Sequence, residues 1–150
     1  MDRDELERRI GEILNRWPEV AFAYLFGSRA RGDAGARSDV DVAISINSNE
    51  RAPRVWFEVV DGLAAALKPL EVDCILLNGA PLGLRFSIVR DGLVVLDRAP
   101  AARRAFEVAT RREYWDWEPY RRRHDEALFQ SIRDGTYGTR PRDDRPLATR

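Results

Sequence analysis

Apolar residues recur along this chain with two different periods, and the switches between them mark out alternating helices and strands. From residue 2 to 16, Leu6, Ile10, Ile13, Leu14 and Trp17 fall on one helical stripe, which Pro18 ends. Val20 to Phe26 is rich in aromatic and β-branched residues and reads as a strand. Gly27-Ser28 stops it, with Ser28 expected to cap a short helical turn through Arg31. Gly32 to Ser38 reads as a loop and Asp39 to Ile46 as a second strand. After the loop 47–52, Val55, Val59, Val60, Leu63 and Leu67 mark a helix that ends at Pro69. Leu70 to Leu77 is a third strand, Pro81 to Val89 a helix, and Leu93 to Leu96 a fourth strand.

From Pro100 the pattern becomes that of a charged helix, with Phe106 and Val108 expected to face inward. A break is expected near Glu118-Pro119, before a last helix to about Ile132. The order gives an α/β (α+β) fold, a small mixed sheet flanked by helices with a C-terminal helical extension. The expected divisions are a core over 1–98, the helical extension over 99–134, and a tail over 135–150. That tail, from Gly135 onward, has two prolines, no periodicity and few apolar residues, so it is expected to be disordered.

Composition narrows the function classes without choosing one. Formal net charge is zero, but residues 1–100 carry −3 and residues 101–150 carry +3. Neither half is polarised enough to imply nucleic-acid binding from charge alone. A single cysteine, Cys74, excludes an intramolecular disulfide and, amid Val72-Asp73-Cys74-Ile75-Leu76, is expected to be a small buried hydrophobe. No apolar run approaches the ~18–20 residues that span a bilayer. The charged start, Met1-Asp2-Arg3-Asp4-Glu5, is unlike a signal peptide, so the protein is expected in the cytoplasm.

The candidate chemistry lies in Leu25-Phe26-Gly27-Ser28-Arg29-Ala30-Arg31-Gly32 and, further on, Asp39-Val40-Asp41. Gly27 lets a phosphate approach the backbone, Ser28 offers a hydroxyl and an N–H, and Arg29 and Arg31 can add charge-assisted donors. Asp39 and Asp41 share a strand face, because side chains alternate, while Val40 and Val42 point to the core. Two such carboxylates suit one Mg²⁺, whose other ligands would be phosphate oxygens and water. Asp73 is a charge in the middle of an apolar strand. If that strand lies beside Asp39–Ser45, Asp73 completes a three-carboxylate cluster that could hold a second metal and accept the proton of an attacking hydroxyl. Each element has a plainer reading: a turn, a solvent-facing strand, an edge charge. Their combination in strand–turn–strand order favours chemistry.

The constellation resembles the nucleotidyltransferase superfamily of DNA polymerase β, poly(A) polymerases and antibiotic nucleotidyltransferases. The resemblance implies a triphosphate held at Gly27 and Ser28, and two Mg²⁺ held by Asp39, Asp41 and Asp73, over about residues 20–96. Chain length, the Leu-Phe-Gly-Ser-Arg-Ala-Arg-Gly wording and the segment Arg112–Tyr120 are most similar to the minimal nucleotidyltransferases (MNT), partners of HEPN RNase toxins. That resemblance implies transfer of AMP from ATP to a tyrosine hydroxyl of the toxin, which silences it. All three carboxylates are present, so the chain is read as catalytically competent.

Few residues remain beyond the core to enclose an acceptor, which is therefore expected to bring its own surface. Tyr114, Trp115, Trp117 and Tyr120, with Phe129 and Arg121–Arg123, have the composition of a protein interface or of core packing against the sheet. Interleaved acids make nucleic acid an unlikely direct ligand, and the lone His124 is expected on a solvated helix position. Two alternatives stay open: an antitoxin acting by occlusion without catalysis, and a stand-alone nucleotidyltransferase for small molecules of the aminoglycoside type.

Overall fold

The computed structural model describes residues 1–133. Nine elements follow one another: α1 (Arg3–Leu14), β1 (Val20–Phe26), α2 (Gly27–Arg31), β2 (Val40–Ile46), α3 (Ala52–Ala66), β3 (Val72–Leu76), α4 (Leu82–Asp91), β4 (Leu93–Asp97) and α5 (Pro100–Arg133). The strands make one sheet in the order β3-β2-β1-β4. β1 runs antiparallel to both β2 and β4, whereas β2 and β3 are parallel, so the sheet is mixed as expected.

Alternation along the strands gives the sheet two apolar faces. On one, Val40, Val42, Ile44 and Ile46 of β2 pack with Leu6, Ile10, Ile13 and Leu14 of α1 and Val55, Val59 and Leu63 of α3. On the other, Phe22 and Tyr24 of β1 and Ala43 of β2 meet Ile88 of α4, with Phe106 of α5 packed against them. The Tyr24 hydroxyl donates to Glu107 Oε1 at 2.8 Å, and Arg103 donates to the same oxygen at 2.8 Å and to Asp97 Oδ2 at 2.9 Å. Burial, reinforced by the Glu107 charge, pushes the Tyr24 phenol above its usual range. At the far end of β4, Arg98 gathers the carbonyls of Asn15, Trp17 and Val20.

Residues Met1–Tyr114 form one compact unit, and a second begins at Trp115. Three expectations need correction. Val108 is 47% exposed; the inward positions are Phe106 and the fully buried Thr110, one helical turn apart and thus on one face. No helix break occurs at Glu118-Pro119, because Pro119 lies inside α5. A proline inside a helix can be carried as a kink rather than a stop, and Pro119 is exposed on α5. Ser28 does not cap α2: Phe26 holds the cap position, Ser28 is inside the turn, and no side chain caps it. Cys74 is buried, and burial pushes its thiol up to about 12. The side chains of His124 and Phe129, and the tail 135–150, lie outside the described residues. Among the described residues no helix is long and apolar enough to cross a membrane.

Candidate active site

Three chain segments meet at one end of the sheet because of strand direction. β1 ends there, and β2 and β3 both begin there. Phe26, the last residue of β1, pairs with Asp41, and Asp41 pairs with Asp73 in the parallel ladder. Neighbouring strands lie about 4.8 Å apart, so the two carboxylates leave one face from adjacent positions. Asp39 lies just before β2. Asp39 and Asp73 are exposed and Asp41 is half-buried.

The electrostatics reflect this crowding. Burial raises the Asp41 carboxyl above its ordinary value, and the charges of Asp73 and Asp39 raise it further, against a lowering by Arg31. Like charges held together within a fold favour a cation between them. Oxygen-only donors suit a hard divalent ion such as Mg²⁺. Among the described residues, no three Asp, Glu, His or Cys side chains close around a single point as a ligand set. Mg²⁺ does not require that, since it is usually held by one or two carboxylates with substrate phosphates and water. The residues present therefore fit such an ion.

Gly27 adopts φ 72°, in the left-handed region, and a Cβ built there would run into the Asp41 carboxylate. Only glycine lets the turn and the acid approach this closely. The Ser28 carbonyl accepts from the N–H of Asp33 at 3.1 Å and from that of Gly32, which closes the turn at its rear. Arg29 is tied into the loop that follows the turn. Its Nε and Nη2 donate to the Ser38 carbonyl at 3.0 and 2.7 Å, fixing the loop that delivers Asp39. Arg31 is exposed, 3.4 Å from Asp33, and is the arginine whose charge reaches Asp41. Sequence reasoning missed the Arg29–Ser38 tie, and no local signal distinguishes it from a phosphate-directed arginine. The contact of Gly27 with Asp41 was likewise hidden, because it depends on the pairing register.

The aromatic segment divides in two. Tyr114 stacks on Phe86 of α4, with ring centroids 3.7 Å apart and planes 3° from parallel, so it packs within the compact unit. In the second unit Trp115, Trp117 and Tyr120 are 62%, 42% and 67% exposed. Trp115, Glu118, Pro119 and Arg122 line a cavity of about 320 Å³. Larger cavities, of about 470 and 460 Å³, exist in the first unit but are lined by other residues than the three aspartates.

The family model for polymerase beta nucleotidyltransferases matches residues 8–101. No curated relative matches the sequence. Among solved structures, a chain of a toxin–antitoxin complex with AMP-PNP is similar at 25% identity, covering 82% of this chain and 98% of that one, with a TM-score of 0.69. A chain from the complex of a tri-AMPylated Shewanella oneidensis HEPN toxin with its MNT antitoxin is similar at 23% identity, covering 85% and 98%, with a TM-score of 0.65. A chain of the MntA–HepT toxin–antitoxin complex gives 23% identity, 84% and 98% coverage, and a TM-score of 0.65.

Proposed function

The chain belongs to the polymerase beta nucleotidyltransferase family, and on that premise we propose that it transfers AMP from ATP to a tyrosine hydroxyl of a partner HEPN-type RNase toxin and so acts as the antitoxin. The observation that carries the transferase reading is the register Phe26–Asp41–Asp73, which sets the Gly-Ser turn against two carboxylates on neighbouring strands. Similarity to a chain from a complex with AMP-PNP, and to one from a complex holding a tri-AMPylated toxin, supports the choice of nucleotide and acceptor.

Gly27 and Ser28 hold the triphosphate, through backbone approach and the serine hydroxyl. Arg31 offsets negative charge near the reacting phosphate. Asp39, Asp41 and Asp73 would hold two Mg²⁺, which polarise the phosphoryl oxygens and stabilise the attacking and leaving groups when bound. Asp73 accepts the proton of the acceptor hydroxyl. The oxygen then bonds to the α-phosphorus, and pyrophosphate leaves. Trp115, Trp117 and Tyr120 are the proposed docking aromatics, whereas Tyr114 packs on Phe86 within the core unit.

Incubation with labelled ATP, Mg²⁺ and the purified partner toxin tests the reading. Label should move to a toxin tyrosine, and Asp39→Ala and Asp41→Ala should each abolish transfer. Toxin protection by a carboxylate-free variant, with no transfer by the wild type, would leave occlusion as the mechanism.

A further inference from the structure

A second cavity stands at the other end of the same sheet face. It measures about 460 Å³ and is lined by Ser45, Leu77, Asn78, Gly79, Arg85 and Phe106, with Ala80. That volume falls in the ~300–1,000 Å³ range of small-molecule sites. Ser45 is four residues from Asp41 on the same side of β2, about 13 Å along the strand. Between them Ala43 is fully buried in a cluster with Leu77 and Ile88, so α4 closes the face and separates the cavity from the carboxylates.

The walls are firm and the donors lightly committed. Asn78 pins the rim, because its side chain accepts from the Ile46 N–H at 2.9 Å and donates to the Ile46 carbonyl at 2.8 Å. Arg85 is anchored by Nε to the Ala80 carbonyl at 2.9 Å. Its two Nη atoms share one oxygen of the exposed Glu113 at 3.4 Å each, well beyond the 2.7–2.9 Å of a strong charge-assisted bond. A phosphate could displace that carboxylate at little cost. The Ser45 hydroxyl has no hydrogen-bond partner among the described residues. Leu77 and the ring of Phe106 supply an apolar wall on which a planar base can stack.

We infer that this cavity is a second ligand site, separate from the transfer centre, that takes an adenylate with its phosphate at Arg85 and Ser45 and its base against Phe106. The choice of adenylate among ring-bearing phosphates rests on the proposed AMP transfer. The adenylate is either free AMP or an AMP group already attached to the acceptor.

Equilibrium dialysis of labelled AMP against the full chain in EDTA tests the site, because the carboxylate centre lacks its cation there. Saturable binding is expected. Ser45→Ala should weaken it about fivefold without moving Tm, since that hydroxyl bonds to nothing in the described protein. Arg85→Gln should weaken it tenfold or more, and Asp39→Asn with Asp41→Asn should leave it intact. No saturable binding in EDTA, or loss only in the aspartate variant, overturns the proposal. A chain that transfers AMP but fails this dialysis refutes the second site alone, and one that binds AMP but never transfers it refutes the transferase reading alone. Mass spectrometry of the acceptor separates the sources. Fewer AMP groups per toxin with Ser45→Ala marks the attached adenylate. An unchanged number, with inhibition or activation by added AMP lost, marks the free one.

Discussion

Gly27→Ala and Gly32→Ala form a matched pair that isolates the contact between the turn and Asp41. Both glycines sit in the left-handed region, at φ 72° and 80°. Alanine in either position therefore carries a similar backbone cost of about 1–2 kcal/mol. For a chain of this length that lowers Tm by roughly 2–8 °C. The two sites differ in what the new methyl meets. At Gly32 nothing lies within 4 Å, whereas at Gly27 the methyl overlaps the Asp41 carboxylate and lies 3.0 Å from its Cγ. Asp41 must swing away, and a displacement of about 1 Å at a reacting centre can cost about 100-fold in rate. Initial rates of AMP transfer and thermal melts of both variants are the assay. Gly27→Ala should lose at least about 100-fold in kcat/KM and Gly32→Ala less than about threefold, at similar Tm. Equal activities in the two variants would refute the assignment of Asp41 to the reacting centre.

Three further outcomes follow from the geometry. Tyr24→Phe removes a buried hydrogen bond to a charged acceptor that keeps Arg103, and should cost about 1–2 kcal/mol in chemical denaturation. Asp41 holds its proton more tightly folded than unfolded, so its penalty is absent well below the ordinary value of 3.8, grows as pH rises from there and is complete above the raised folded pKa. Metal-free wild type should thus gain stability relative to Asp41→Asn as pH falls from 7 towards 4, and saturating Mg²⁺ should flatten the difference in Tm. Trp115→Ala with Tyr120→Ala should weaken toxin binding at least tenfold by calorimetry while leaving the Tm of the compact unit unchanged, because both side chains are more than half exposed.

Much of the fold was legible because its signals are local. The stripe Leu6–Ile10–Ile13–Leu14, the strand Val20–Phe26 and the alternation of Val40 and Val42 with Asp39 and Asp41 each declare an element and a face. The third carboxylate was legible only conditionally: Asp73 stood out as a charge among apolar neighbours, but the parallel pairing with Asp41 is a long-range fact. The tie from Arg29 to Ser38 was hidden for the same kind of reason, since its partner is a backbone carbonyl nine residues away. Pro119 misled because proline in a helical pattern can kink a helix as well as end it, and here it is carried inside α5. The cavity at Ser45 had no sequence signature, being built from β2, α4, α5 and the loop after β3.

The strand order also governs how the chain can be made on a ribosome. β1 occupies the middle of the sheet, yet one of its two neighbours, β4, is encoded some seventy residues later. Until Leu93–Asp97 has emerged, the nascent chain can hold every motif residue and still present β1 as a naked edge, a template for unwanted pairing. Only Arg98, the residue just past β4, then latches the corner between α1 and β1 by its three carbonyls. A chain released before that point would carry every candidate site residue on a fragment whose central strand is an unpaired edge.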